Sequence, residues 1–176
     1  MAFNLDQFIQ DAANAAKETR AVKSVNDLMR YTFSDPEDLQ TSITPYDGQE
    51  KILYSDTSVS VYWVRFIANE LVPPHNHKMP TFIGVYQGAE VNHLYRRTAD
   101  GLLELVTSKR IGPGETLSMG AEGIHGVNAE GEEDSLGLHI YLGPLPETER
   151  DIFNPDTSEA MPFTDENYEK FLRALN

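Results

Sequence analysis

The sequence predicts a mainly β protein, a barrel or sandwich of short strands entered through helices and closed by a C-terminal helix. Three observations predict it. Between residues 51 and 142 stand eight segments rich in β-branched and aromatic residues: "KILYS", "SVSVYWVRFIA", "TFIGVY", "AEVNHLYRR", "LLELVTSKRI", "ETLSM", "IHGVNA" and "SLGLHIYL". Turn signals separate them, at Asp56-Thr57, Pro73-Pro74, Gln87-Gly88, Asp100-Gly101, Gly112-Pro113-Gly114 and the acidic stretch 130–134. No helical periodicity lies between the segments, which argues against alternating strand–helix units.

The elements follow in order. Asn4 with Gln7 three residues later resembles a capping box, and Phe3 and Phe8 stand where a hydrophobic staple would. Leu5, Phe8, Ile9, Ala12, Ala13 and Ala16 then keep helical spacing. Ser24 is the expected cap of a second helix with Val25, Leu28 and Met29 on one face. Asp35-Pro36 opens a third, with proline at the favoured first position. Within the β region, "EGEED" is predicted as a solvated hairpin tip. After it, Thr164 caps a last helix whose apolar stripe is Tyr168, Phe171, Leu172 and Leu175. Without repeats or low-complexity linkers, residues 1–176 read as one domain. It divides into a helical lead-in (1–48), a barrel (50–145) and a C-terminal extension with its helix (146–176).

Composition excludes several functions. Lys and Arg number 14 against 28 Asp and Glu, a net charge of −14, which argues against nucleic acid as a partner. No apolar run of about 18 residues is present, so no membrane partner is expected. The first residues carry Asp6 and no apolar signal core, which makes the cytoplasm the expected address. The absence of cysteine removes disulfides, thiolate ligands and a cysteine nucleophile. Any metal must therefore be held by nitrogen and oxygen.

The five histidines carry the chemistry. In "PPHNHK", His75 and His77 are two residues apart and on an extended strand would project to one face, close enough to share an ion. The two prolines before them stiffen the approach. The same six residues equally describe polar side chains on a turn. A third donor must come from elsewhere, and His125 is the candidate: a glycine-proline turn, a strand and a glycine-rich bend bring it to the barrel mouth. His93 reads as a wall residue. His139 shares a face with Tyr141, either as a core histidine or as part of a site.

"PPHNHKMPTFIGVYQGAEVNHLYRR", followed by "GPGETLSMGAEGIHGVNAEGEEDSLGLHIYLGPL", resembles the two motifs of a cupin, a double-stranded β-helix barrel or jelly roll. More narrowly it resembles the cysteine dioxygenase-like, or thiol dioxygenase, branch. The likeness spans residues 50 to 145. Cupins in general place a glutamate ligand four or five residues after H-x-H; here Thr81 or Phe82 holds that place, as in the thiol dioxygenases, and Gly88 supplies the motif's closing glycine. The resemblance implies His75, His77 and His125 as ligands of Fe(II), with Zn or Ni as other ions that imidazoles suit. It also implies dioxygen and a small anionic thiol as partners, and His139 and Tyr141 as the pair beside the metal. Cupins often pair through sheet edges, so a homodimer is one expectation.

Two positions depart from that branch. S-x-H-x-Y is here Gly137-x-His139-x-Tyr141, without the serine. Where cysteine-specific members carry an arginine after Tyr-x, this chain has Tyr54 and then Asp56. Arg65, Arg96 and Arg97 are cations that could bind an anion or simply face solvent.

Three neutral imidazoles would leave Fe(II) at a net charge of about +2, against about +1 with one carboxylate. The more positive centre lowers the pKa of a thiol and favours its direct ligation. His139 would orient Tyr141, whose phenol would donate to oxygen or substrate. The resemblance therefore implies a thiol dioxygenase, with a cupin that binds or senses a small molecule without turnover as the alternative.

Overall fold

The computed structural model describes residues 2–175. Three helices lead in: α1 (Leu5–Ala15), α2 (Ala21–Thr32) and α3 (Pro36–Ser42). The capping residues act as their chemistry predicts. Asn4 accepts from Gln7 N at 2.9 Å and Asp35 from Asp38 N at 3.2 Å, satisfying amides that no helical carbonyl can reach. Phe3 and Phe8 meet with ring centroids 5.8 Å apart. The second helix differs from expectation. It begins a turn earlier, behind Arg20, and the Ser24 hydroxyl donates to Glu18 instead of capping.

The β region folds into two antiparallel sheets. Its strands are β1 (Glu50–Ser55), β2 (Ser60–Phe66), β3 (Glu70–Asn76), β4 (Thr81–Gln87), β5 (Glu90–Arg97), β6 (Leu103–Ile111), β7 (Thr116–Met119), β8 (Ile124–Ala129) and β9 (Ser135–Tyr141). The C-terminal extension adds β10 (Asp151–Phe153), β11 (Ala160–Pro162), α4 (Asp165–Phe171) and β12 (Arg173–Ala174). One sheet runs β1-β2-β9-β4-β7; the other runs β11-β10-β3-β8-β5-β6, with β12 on the β3 edge. Among the described residues no helix is long and apolar enough to cross a membrane.

Strand alternation divides the first sheet into two jobs. Val61, Trp63, Phe82, Tyr86, Leu136, Leu138 and Ile140 face the helices and bury Phe8, Met29, Phe33 and Leu39. Each such side chain contributes about 1.5–3 kcal/mol of gross burial. Trp63 Nε1 keeps a partner there, donating to the Tyr86 hydroxyl at 2.7 Å. Tyr62, Val64 and Tyr141 face the other way, into the barrel, with Met79 and Leu145.

Other expectations need correction. Pro73-Pro74 is no turn: both prolines lie inside β3. Val72 faces Val127 and His75 faces His125, so β3 carries one residue more than β8 over this stretch. That bulge accommodates two residues that lack an N–H to give the ladder. "EGEED" is not a hairpin tip either, because β8 and β9 belong to different sheets and the turn crosses between them. The last helix starts at its expected cap, Thr164, but stops at Phe171. Beyond it the chain is extended, pairing as β12 with β3, and Leu175 donates its amide to Asn69 O at 2.7 Å.

Candidate metal centre

The proline bulge in β3 sets the register of the site. Continued without a bulge from Val72 opposite Val127, the ladder would put Pro74 opposite His125; the extra residue puts His75 there instead. The two rings consequently lie 4.6 Å apart between centroids. His77 follows just beyond the strand end, with Lys78 in the left-handed region at φ 56° turning the chain away. This corner is tied to the C-terminal extension. Asn76 donates to the Asp151 carboxylate at 3.0 Å and accepts the Asp151 amide at 2.9 Å, and Lys78 lies 3.2 Å from the same carboxylate. The His77 ring is 5.0 Å from that of His75 and 5.1 Å from that of His125.

One ring nitrogen from each of the three residues lies within 4.8 Å of the others, and all three side chains are buried. Hydrogen bonding identifies the free nitrogens for two of them. His75 Nδ1 is 2.9 Å from Pro73 O, which can only accept, so Nδ1 carries the proton and Nε2 the lone pair. His125 Nδ1 lies 2.8 Å from Asn92 Oδ1, leaving its Nε2 buried with no hydrogen-bond partner among the described residues. A buried, unpartnered acceptor aimed at two other imidazoles is what a metal site requires.

Electrostatics keep these rings neutral. Burial, with the Arg150 cation nearby, pushes His75 down to about 4. Desolvation and the neighbouring rings push His77 and His125 well below the usual histidine value. At neutral pH all three present lone pairs, so the donor set suits a divalent ion that accepts imidazole.

His139 and Tyr141 lie on the inner face of β9 beside the triad. His139 Nδ1 is 3.1 Å from the Tyr141 hydroxyl, and the Tyr141 ring lies 5.0 Å from that of His77. Burial pushes His139 down to about 3 and raises Tyr141 far above an ordinary phenol. Both are therefore uncharged, and the phenol keeps its proton. Their relay ends at His139. Gly137 has no hydroxyl, and a Cβ there would stand 2.4 Å from the carbonyl oxygen of Gly84 on β4.

The three histidines, His139 and Tyr141 line a cavity of about 470 Å3 whose wall also includes Val64, Phe66, Val72 and Leu145. The cation inside it is Arg150, which sequence reasoning missed. It lies on the extension just before β10, with its guanidinium 3.6 Å from the centroid of the Phe163 ring. It makes no ion pair among the described residues. Glu50, Asp165 and Glu169 also line the cavity. The arginines singled out in sequence are engaged elsewhere. Arg65 reaches the cavity wall, but its guanidinium donates to Tyr46 O at 3.1 Å and sits over Trp63. Arg96 pairs with Glu104, and Arg97 donates to Gly101 O. His93 bonds Ser108 and Asn128 on the wall, as its sequence context predicts.

No known family profile matches the chain. Solved structures do share its architecture. An uncharacterised Klebsiella pneumoniae protein with a double-stranded β-helix domain aligns over 69% of this chain and 89% of its own, at 10% identity and a TM-score of 0.50. A Bacillus halodurans protein aligns over 61% of this chain and 77% of its own, at 16% identity and a TM-score of 0.51. A cupin superfamily protein of Desulfitobacterium hafniense aligns over 59% and 86%, at 19% identity and a TM-score of 0.46. With two antiparallel sheets and helices packed against one of them, this chain has a double-stranded β-helix fold.

Proposed function

We propose that this protein is a mononuclear non-haem iron dioxygenase that adds both atoms of dioxygen to the sulfur of a small anionic thiol, giving a sulfinate. The observation that carries the reading is one cavity holding three neutral imidazoles, an uncharged His139–Tyr141 pair and an arginine without an ion pair among the described residues. His75, His77 and His125 would hold Fe(II), which supplies the activation of dioxygen. The choice of iron follows from the family resemblance, since the same donors suit Zn or Ni.

The chain's own groups have definable work. Arg150, half-buried against Phe163 and without an ion pair among the described residues, would hold the anionic end of the substrate. Val64, Phe66 and Leu145 exclude water from the reacting end. In the tautomer that carries the His139 proton on Nδ1, the imidazole would donate to the phenol oxygen, and Tyr141 would then donate its own proton toward an anionic group beside His77. A second reading, a metal-binding barrel that binds or senses a small molecule without turnover, draws support from the relay's end at Gly137.

Metal analysis of untagged protein, then oxygen consumption with mercapto-carboxylates of increasing chain length, decides between them. Stoichiometric iron and sulfinate formed one-to-one with oxygen consumed supports the oxygenase. Iron with thiol binding and no oxygen uptake supports the binding protein, and no metal after anaerobic Fe(II) loading sinks both.

A further inference from the structure

The reading above gives no work to Glu90, although its carboxyl is almost wholly buried, at 1% exposure. Nor does it use Asn92, which is fully buried two residues along β5. A carboxyl and an amide are costly to bury unless each is bonded to something that gains from it. Their bonds lead to the metal centre. The Asn92 amide nitrogen donates to Glu90 Oε1 at 3.0 Å, and Asn92 Oδ1 faces His125 Nδ1 at 2.8 Å.

The polarity of this chain is fixed from its far end. A carboxylate only accepts, so it takes the NH2 side of the Asn92 amide and turns the oxygen toward His125. An amide oxygen also only accepts, so His125 must carry its proton on Nδ1 and direct the lone pair of Nε2 at His75 and His77. Burial pushes the Glu90 carboxyl up to about 7, and the bond from Asn92 pulls against that rise. Protonated, the carboxyl could still accept from Asn92 through its carbonyl oxygen, so the order of donors survives.

We infer that Glu90 and Asn92 are positioning residues for the metal centre: a buried relay from Glu90 through Asn92 holds His125 as the Nδ1–H tautomer and strengthens its Nε2 as a donor. The inference rests on His125 as a metal ligand. The relay ties the third donor to β5, so the ring is oriented by a neighbouring strand as well as by its own. His75, by contrast, is oriented within its own strand, by Pro73 O.

Two measurements test the relay, one of them needing no metal. In metal-free protein with 15N-labelled histidine, His125 should appear as the Nδ1–H tautomer, and Asn92→Ala should shift it toward the Nε2–H form. Titration with Co(II) as a spectroscopic probe should show Asn92→Ala binding about 10–100-fold more weakly than wild type, the scale of losing an oriented ligand's outer partner. The double variant Asn92→Asp/Glu90→Gln reverses the donor and acceptor of the inner bond and keeps an acceptor on His125. It should recover wild-type affinity to within about threefold, whereas Glu90→Gln alone, of the same shape but with two amides facing each other, should not; a merely space-filling role would leave both at wild type.

Should Asn92→Ala fail to fold, near-isosteric Glu90→Gln carries the test, with Co(II) affinity expected to fall about threefold to tenfold. An Nε2–H tautomer in wild type overturns the relay. So does Co(II) affinity within twofold of wild type in folded Asn92→Ala, or, where that variant does not fold, in Glu90→Gln. Wild-type protein that takes up neither Co(II) nor Fe(II) would instead remove the metal centre itself, and the histidine spectrum would still decide the tautomer.

Discussion

Gly137 on β9 and Gly84 on β4 approach so closely that a Cβ on Gly137 would stand 2.4 Å from the Gly84 carbonyl oxygen. The contact is with backbone, so no side-chain rotation relieves it. A Cβ on Gly84 would itself meet the Phe33 ring at 2.3 Å, so the helices and the barrel both depend on this crossing. Gly137→Ser should therefore destabilise the protein by about 1–3 kcal/mol, read as a lower thermal midpoint. An unchanged midpoint would mean that β4 and β9 can separate, and that a serine could complete the relay after all.

His77→Ala should lose stoichiometric metal while keeping the fold, because His77 stands at a strand end and its ring serves no apolar cluster. Elemental analysis beside circular dichroism checks both halves. Metal content equal to wild type would mean that His77 is not a ligand.

Tyr141→Phe keeps the ring packed against Tyr62, 5.4 Å between centroids, and removes only the hydroxyl. Metal content should be unchanged and turnover lower by about 10²-fold, the scale of a lost positioned donor. Full turnover in this variant would reduce Tyr141 to packing.

Arg150→Met keeps the stem over Phe163 and removes the charge. With a mercapto-carboxylate, KM should rise by about 30-fold or more, whereas an uncharged thiol of similar size should be little affected. Equal losses for both substrates would assign Arg150 a structural role.

Acid should destabilise the metal-free protein through its buried imidazoles. His139 falls from 6.5 in the unfolded chain to about 3 when folded, so the unfolded state binds more protons between those values. Its contribution is full above pH 6.5 and lost as pH falls toward 3, on the order of 5 kcal/mol in all. Glu90 acts oppositely. Raised from 4.5 to about 7, it favours the folded state increasingly as pH falls from 7 to 4.5 and adds nothing further below that. Denaturant unfolding across pH should thus be flatter from 7 to 4.5 than from 4.5 to 3. His139→Gln should flatten the lower range; an unchanged profile would show that His139 already titrates near its ordinary value.

Local chemistry made much of this protein legible in its sequence. The caps at Asn4, Asp35 and Thr164, the alternation in the strands, and the three histidines with the His139–Tyr141 pair all depend on residues near in sequence or on a motif of fixed spacing. What the tertiary structure decided involves distant partners. The two prolines read as a turn because proline lacks an N–H, yet a one-residue bulge against β8 accommodates them and places His75 opposite His125. Arg150 sits in an irregular stretch with no pattern around it, and only the return of the extension beside β3 brings it into the cavity. Asn92 and Glu90 read as two polar residues in a strand; 33 residues separate Asn92 from the imidazole it orients. A residue's type determines which bonds it can make, but pairing between strands far apart in the chain determines which bonds it does make.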